Sequence, residues 1–90
     1  MSYRAPLSEY HFLFDHVVNY SEIAAQDRFE DATSDVVAAV LNEAGHLSAD
    51  KIAPLNRNGD LTPAYLENGV VRTSPGFAEG FKAIAEGGWI

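Results

Sequence analysis

From Leu7 onward the chain places Leu7, Tyr10, Leu13, Phe14, Val17 and Val18 at helical spacing. Such a stripe buries one face of an amphipathic helix. The spacing predicts a first helix beginning after Pro6 with Ser8 as its N-cap, and with Phe12 and His16 off the stripe. The pattern fades over residues 19–21. Ile23, Ala24 and Ala25 add a short second turn, and residues 29–32 read as a linker. A second helix follows, capped by Thr33 or Ser34, with Asp35 in the first turn where the helix dipole favours a negative charge. Val37, Val40, Leu41, Ala44, Leu47, Ser48 and Ile52 hold one face of it for about five turns. Leu41 is therefore expected to be buried. Gly45 interrupts this run without changing its phase, which predicts a tight helix crossing there, and Pro54 ends the helix.

Residues 54–60 read Pro-Leu-Asn-Arg-Asn-Gly-Asp, a segment dense in turn formers. Leu66-Glu67-Asn68-Gly69-Val70-Val71-Arg72 predicts a hairpin, because Asn-Gly tolerates the positive φ angles of a type I′ turn. So short a ribbon needs something to lie on. A last helix is expected from Ser74-Pro75, with Phe77, Phe81, Ile84 and Ala85 on its apolar face and Gly87-Gly88 ending it. The expected architecture is all-α: three main helices with one short β-hairpin.

Composition narrows what such a chain does. Ninety residues make one small domain, and 47% apolar residues are enough for a globular fold. Thirteen acids against six bases, a net charge of −7, argue against nucleic acid and against anionic membrane surfaces. The absence of cysteine excludes disulfides, a thiol nucleophile and thiolate metal sites. No apolar segment follows the first residues as in a secretory signal, and no apolar run approaches the ~20 residues that span a bilayer, so a cytoplasmic location is expected. A chain of this length is marginal on its own. Its final Gly-Gly-Trp-Ile places two large apolar residues at the very end, as expected of an N-terminal piece of something larger.

Several segments, in order, resemble one family. Tyr3-Arg4-Ala5-Pro6-Leu7 and Phe12-Leu13-Phe14-Asp15-His16-Val17 are similar to the N-terminal extension of certain bacterial acyl-CoA dehydrogenases, in the branch that includes the 3-methylmercaptopropionyl-CoA dehydrogenases. Glu43-Ala44-Gly45, Ala53-Pro54-Leu55-Asn56-Arg57, Gly59-Asp60, Leu66-Glu67-Asn68-Gly69-Val70-Val71, Pro75-Gly76-Phe77 and Glu86-Gly87-Gly88-Trp89 continue the likeness over essentially the whole chain. The resemblance implies an FAD-dependent enzyme that oxidises an acyl-CoA thioester between its α and β carbons. A glutamate of such an enzyme removes the α proton, and the flavin takes the β hydride. It also implies a helical N-terminal domain, a middle β domain and a C-terminal four-helix bundle. The family's flavin-binding motifs and catalytic base match no residue of this sequence, so no catalytic, cofactor or metal residue is carried over, and FAD is expected in the parent enzyme only.

Read for chemistry alone, the residues offer little. His11 and His16 are five apart and diverge on a helix, Asp15 and His16 are neighbours that do not face each other, and His46 follows Gly45; surface or packing roles suit all three histidines. Asp27, Glu30, Asp31 and Asp35 lack the rhythm of a Ca²⁺ loop and read as a solvated linker leading into a helix. Residues 56–60 lack a phosphate cradle and read better as a docking loop for a further domain than as an internal turn. Tyr10, Phe14, Phe77, Phe81 and Trp89 are core or interface, and Phe77, Phe81 and Trp89 are the expected interface set, either with the rest of a dehydrogenase or in a homodimer. The reading is a structural, non-catalytic N-terminal segment of an acyl-CoA dehydrogenase. The alternative is a free-standing acidic helical module for dimerisation or protein interaction.

Overall fold

A computed structural model describes residues 2–90, which divide into two compact units. One is Arg4–Gly45. The other is His46–Ile90 together with Ser2 and Tyr3. The expected mostly helical fold with one antiparallel hairpin is what forms.

In the first unit, helix α1 spans Leu7–His16. Its N-cap is Pro6 rather than Ser8, and no side chain caps it. The Pro6 carbonyl accepts the N–H groups of Glu9 and Tyr10 at 3.1 and 3.3 Å, so the helix is already under way at Ser8. Proline suits this position because its fixed φ matches helix entry and its missing N–H would have had no partner there. The half-buried positions are Leu7, His11 and Phe14, whereas Tyr10, Leu13, Val17 and Val18 stay exposed. Of the expected stripe, Leu7 and Phe14 therefore face inward while Tyr10, Leu13, Val17 and Val18 do not, and His11 takes a half-buried place between them. Two anchors set this rotation: Leu7 packs at Gly45, and the Phe14 ring meets Tyr20 at 5.6 Å.

The N–H groups of Val17 and Val18 both donate to the Leu13 carbonyl at 3.0 Å, which closes α1. Asn19, at φ 51°, then turns the chain into α2, Tyr20–Ala24; asparagine tolerates the left-handed region better than most residues. The Tyr20 hydroxyl donates to the Ala32 carbonyl at 2.7 Å and fastens the connecting segment, in which a 3₁₀ turn at Asp27–Phe29 runs into the linker expected at 29–32. Helix α3, Ser34–Leu47, takes Thr33 as its cap: the Thr33 hydroxyl accepts the Val36 N–H at 3.3 Å. Val37, Leu41 and Ala44 are half-buried on one face as expected, but Val40 is exposed. Gly45 is buried at the predicted close approach, where an added Cβ would lie 3.2 Å from the Ala5 Cβ, next to Leu7 at the head of α1.

In the second unit the expected five-turn helix changes character. Residues Ser48–Ile52 form a π-helical turn, closed by the Ala53 N–H on the Ser48 carbonyl at 2.7 Å. Pro54 follows, with no N–H to return to the Asp50 carbonyl and a ring that crowds it, so the regular ladder cannot run on. Pro54 nevertheless keeps helical angles and opens α4, Leu55–Leu61, where the sequence predicted turns. Intrinsic propensity would not form this helix; tertiary contacts do. Leu55 seats against Gly76 and Gly80, Phe77 lies against Gly59, and the Asn58 amide donates to the Pro75 carbonyl at 3.1 Å.

Strands β1, Tyr65–Glu67, and β2, Val70–Arg72, pair antiparallel with Leu66 opposite Val71. Asn68 at φ 51° and Gly69 at φ 78° make the predicted tight turn. Every strand residue is exposed, including Leu66 at 71% and Val71 at 67%. Residues 74–77 then form a type II turn, with Gly76 at φ 85° and the Phe77 N–H on the Ser74 carbonyl at 3.2 Å. Helix α5, Phe77–Glu86, accordingly starts after Gly76, later than the Ser74-Pro75 start expected, because Pro75 and Gly76 are used by the turn. It ends in a Schellman motif: Gly88, at φ 80°, donates to Ala85, and Trp89 donates to Ile84. The Trp89 indole folds back so closely that a Cβ on Gly87 would lie 2.8 Å from its Nε1.

Among the described residues no large hydrophobic side chain is buried; Gly45, Ser74 and Gly80 are the buried positions. Leu41, expected to be buried, is only half covered. No helix among the described residues is long and apolar enough to cross a membrane.

Candidate functional site

An open groove of about 1080 Å³ lies in the unit that contains His46–Ile90. Ser48, Ala49 and Ile52 of the π-helical turn form one side, and Phe77, Gly80, Phe81 and Ile84 of α5 form the other. Leu55 and Asn56 lie between them at the start of α4, with Ser2 and Tyr3 also at the lining. The i, i+3, i+4 and i+7 positions of α5 all point here because its N-terminal half packs glycine first: Gly80 lets Leu55 in, and the flanking aromatics rise on either side.

The lining offers hydroxyls from Ser2, Tyr3 and Ser48 and an amide from Asn56, but no Asp, Glu, His, Lys or Arg. It supplies no carboxylate, imidazole or cationic side chain. A flavin dinucleotide does not fit these residues either, because nothing in the lining would neutralise its pyrophosphate and no glycine-rich loop opens a helix toward it. What this surface can do is cover, or be covered by, apolar matter.

Two of the three residues expected at an interface come together here. Phe77 and Phe81 stand one turn apart on the groove wall, with Phe81 65% exposed. Trp89 is not in the lining; it lies over Gly87 at the end of α5. The histidines do not converge. His11 is half-buried on α1, His16 lies tilted against Phe12 with centroids 5.1 Å apart, and His46 is exposed. Asp27 belongs to the 3₁₀ turn and Asp35 to the first turn of α3, and no three His, Asp or Glu side chains among the described residues converge as for a cation. The turn-rich residues 56–60 are helical, and Asn58 is the one that ties them to the segment before α5.

Sequence reasoning passed over a second, smaller hollow of about 340 Å³ on the outer side of α1, lined by Ser8, Glu9, Phe12 and Leu13. Its signal was present. Phe12 lies off the expected stripe, so α1 carries large apolar side chains on more than one side.

No family model matches this sequence. Its likeness to one characterised enzyme agrees with the resemblance read from its residues. Over 89 residues it is 30% identical to the 3-methylmercaptopropionyl-CoA dehydrogenase of Ruegeria pomeroyi, an alignment covering 99% of this chain. The chain spans about 15% of the length of that relative, so it is similar to the N-terminal part of an acyl-CoA dehydrogenase.

Proposed function

We propose that this chain is the N-terminal structural segment of an FAD-dependent acyl-CoA dehydrogenase and is not catalytic by itself. The observation that carries the reading is the 30% identity sustained over nearly the whole chain. In this role the segment covers the flavin-bearing body and helps shape substrate access, while FAD and the catalytic base belong to other parts of the enzyme. Its own chemistry supports that division of labour: the groove is lined mainly by apolar side chains, holds no Asp, Glu, His, Lys or Arg, and leaves Phe81 well exposed. Contiguous apolar surface of this kind is normally covered by protein. Without that cover, the isolated chain self-associates through the Phe77–Phe81 face.

The test compares the larger protein with and without this segment. Removing residues 1–90 should lower acyl-CoA oxidation or its chain selectivity while the remaining protein still carries flavin. The isolated chain should purify colourless. A yellow 90-residue chain holding stoichiometric FAD overturns the proposal.

A further inference from the structure

Two asparagines of this chain are followed by glycine, Asn58-Gly59 and Asn68-Gly69, and the fold treats them in opposite ways. A glycine in that place has no Cβ to keep its own nitrogen from reaching the asparagine side chain. Asn58-Gly59 is helical and half-buried. The Asn58 amide donates to the Pro75 carbonyl at 3.1 Å, and a Cβ on Gly59 would lie 2.9 Å from the Phe77 ring. Asn68-Gly69 is the exposed tip of the hairpin, at φ 51° and 78°, and a Cβ on Gly69 would meet nothing within 4 Å. The strands behind it are three residues each and exposed throughout, so the hairpin opens at little cost. Asn58 is released only when α4 comes away from Pro75 and Phe77.

We propose that Asn68 is a site of spontaneous deamidation, converted through a succinimide to aspartate and isoaspartate, while Asn58 is spared. The closed turn holds the reaction back, because a left-handed residue keeps the next nitrogen on the far side from its own Cβ. In the opened hairpin, base takes the Gly69 amide proton and the Gly69 nitrogen bonds to the Asn68 Cγ. The Cγ–Nδ2 bond breaks, and Nδ2 leaves as ammonia with a proton returned from solvent. Water then adds to the ring. Cleavage between the Gly69 nitrogen and Cγ leaves aspartate; cleavage between that nitrogen and the main-chain carbonyl carbon leaves isoaspartate, whose backbone is one methylene longer. A type I′ turn has no place for the extra carbon, so the pairing of Leu66 with Val71 is lost. The chemistry stands apart from the role proposed above, since its co-reactant is water.

The full chain, aged in mildly alkaline buffer, is sampled over time and digested with trypsin at slightly acidic pH. Cleavage after Arg57 and Arg72 releases one peptide carrying both sites, and electron-transfer fragmentation reads each position and separates aspartate from isoaspartate. Asn68 should convert at least about tenfold faster than Asn58. In urea, with both segments unfolded, the two rates should come within about threefold of each other. Asn68→Asp adds the charge without the methylene and should keep the cross-strand NOEs between Leu66 and Val71, whereas the aged isoaspartate fraction should lack them. The proposal is overturned if Asn68 stays intact, if Asn58 keeps pace with it in buffer, or if the gap persists in urea, where the fold no longer acts. It is overturned equally if the isoaspartate fraction and Asn68→Asp give the same NOEs.

Discussion

The two units solve the same packing problem with different materials. Arg4–Gly45 sets large groups against one another: Phe14 on Tyr20, Tyr10 beside Phe14 with centroids 6.5 Å apart, and Leu7 against Gly45. His46–Ile90 sets large groups into absences: Leu55 into the notch at Gly76 and Gly80, Phe77 onto Gly59, and Trp89 over Gly87. Aromatic faces tolerate sliding, whereas a side chain seated on a bare Cα leaves no room to adjust. The first unit therefore owes its order to a few adaptable contacts and hydrogen bonds, and the second unit owes its order to fit.

The sharpest way to break that contrast is Gly80→Ala. Its new Cβ would sit 2.5 Å from Leu55 Cδ1, so the Leu55 side chain must leave its seat or α4 and α5 must part, and denaturant melts should show a loss of about 1–2 kcal/mol despite alanine's better helix propensity. A neutral or stabilising result would mean that the seat of Leu55 is loose. Gly45→Ala is the matching change in the other unit. It meets Ala5 at 3.2 Å, and the ~1 kcal/mol gained in propensity should nearly offset the crowding, leaving stability within about 0.5 kcal/mol. Leu41→Ala should also cost about 1–2 kcal/mol, below the usual cost at a fully buried leucine because its side chain is only half covered.

Tyr20→Phe removes the hydroxyl that holds Ala32 and should cost about 1 kcal/mol, with faster amide exchange confined to residues 27–33. At the bottom of the scale is Lys82→Ala. The pair with Glu86 spans 3.8 Å between exposed side chains and runs in the weaker order for a helix, so the melting midpoint should hardly move, by about 0.3 kcal/mol at most.

The fold was legible where local signals were self-sufficient. Asn68-Gly69 gave the hairpin turn, Thr33 was one of two candidate caps, and Gly45 marked a close approach. It was illegible where contacts distant in sequence decided. Helix α4 forms from residues that favour turns because Leu55, Asn58 and Gly59 each engage the segment from Pro75 to Gly80. The rotation of α1 depends on Gly45 and Tyr20, and no periodicity within residues 7–18 encodes it. Of the groove, Phe77 and Phe81 could be picked out as exposed aromatics, but their partners on the π-helical turn could not, because the sequence there continues an ordinary α period.

That widened turn has an evolutionary corollary. A stretch that already accommodates one residue beyond the regular repeat is a place where chain length can change cheaply. Deleting a residue between Ser48 and Ile52 would leave Pro54 in place but take out the wide turn and swing everything after it by roughly a quarter of a revolution. Leu55 would then miss its glycine seat. Related chains that lack the extra residue should accordingly carry a bulkier side chain where this one has Gly80.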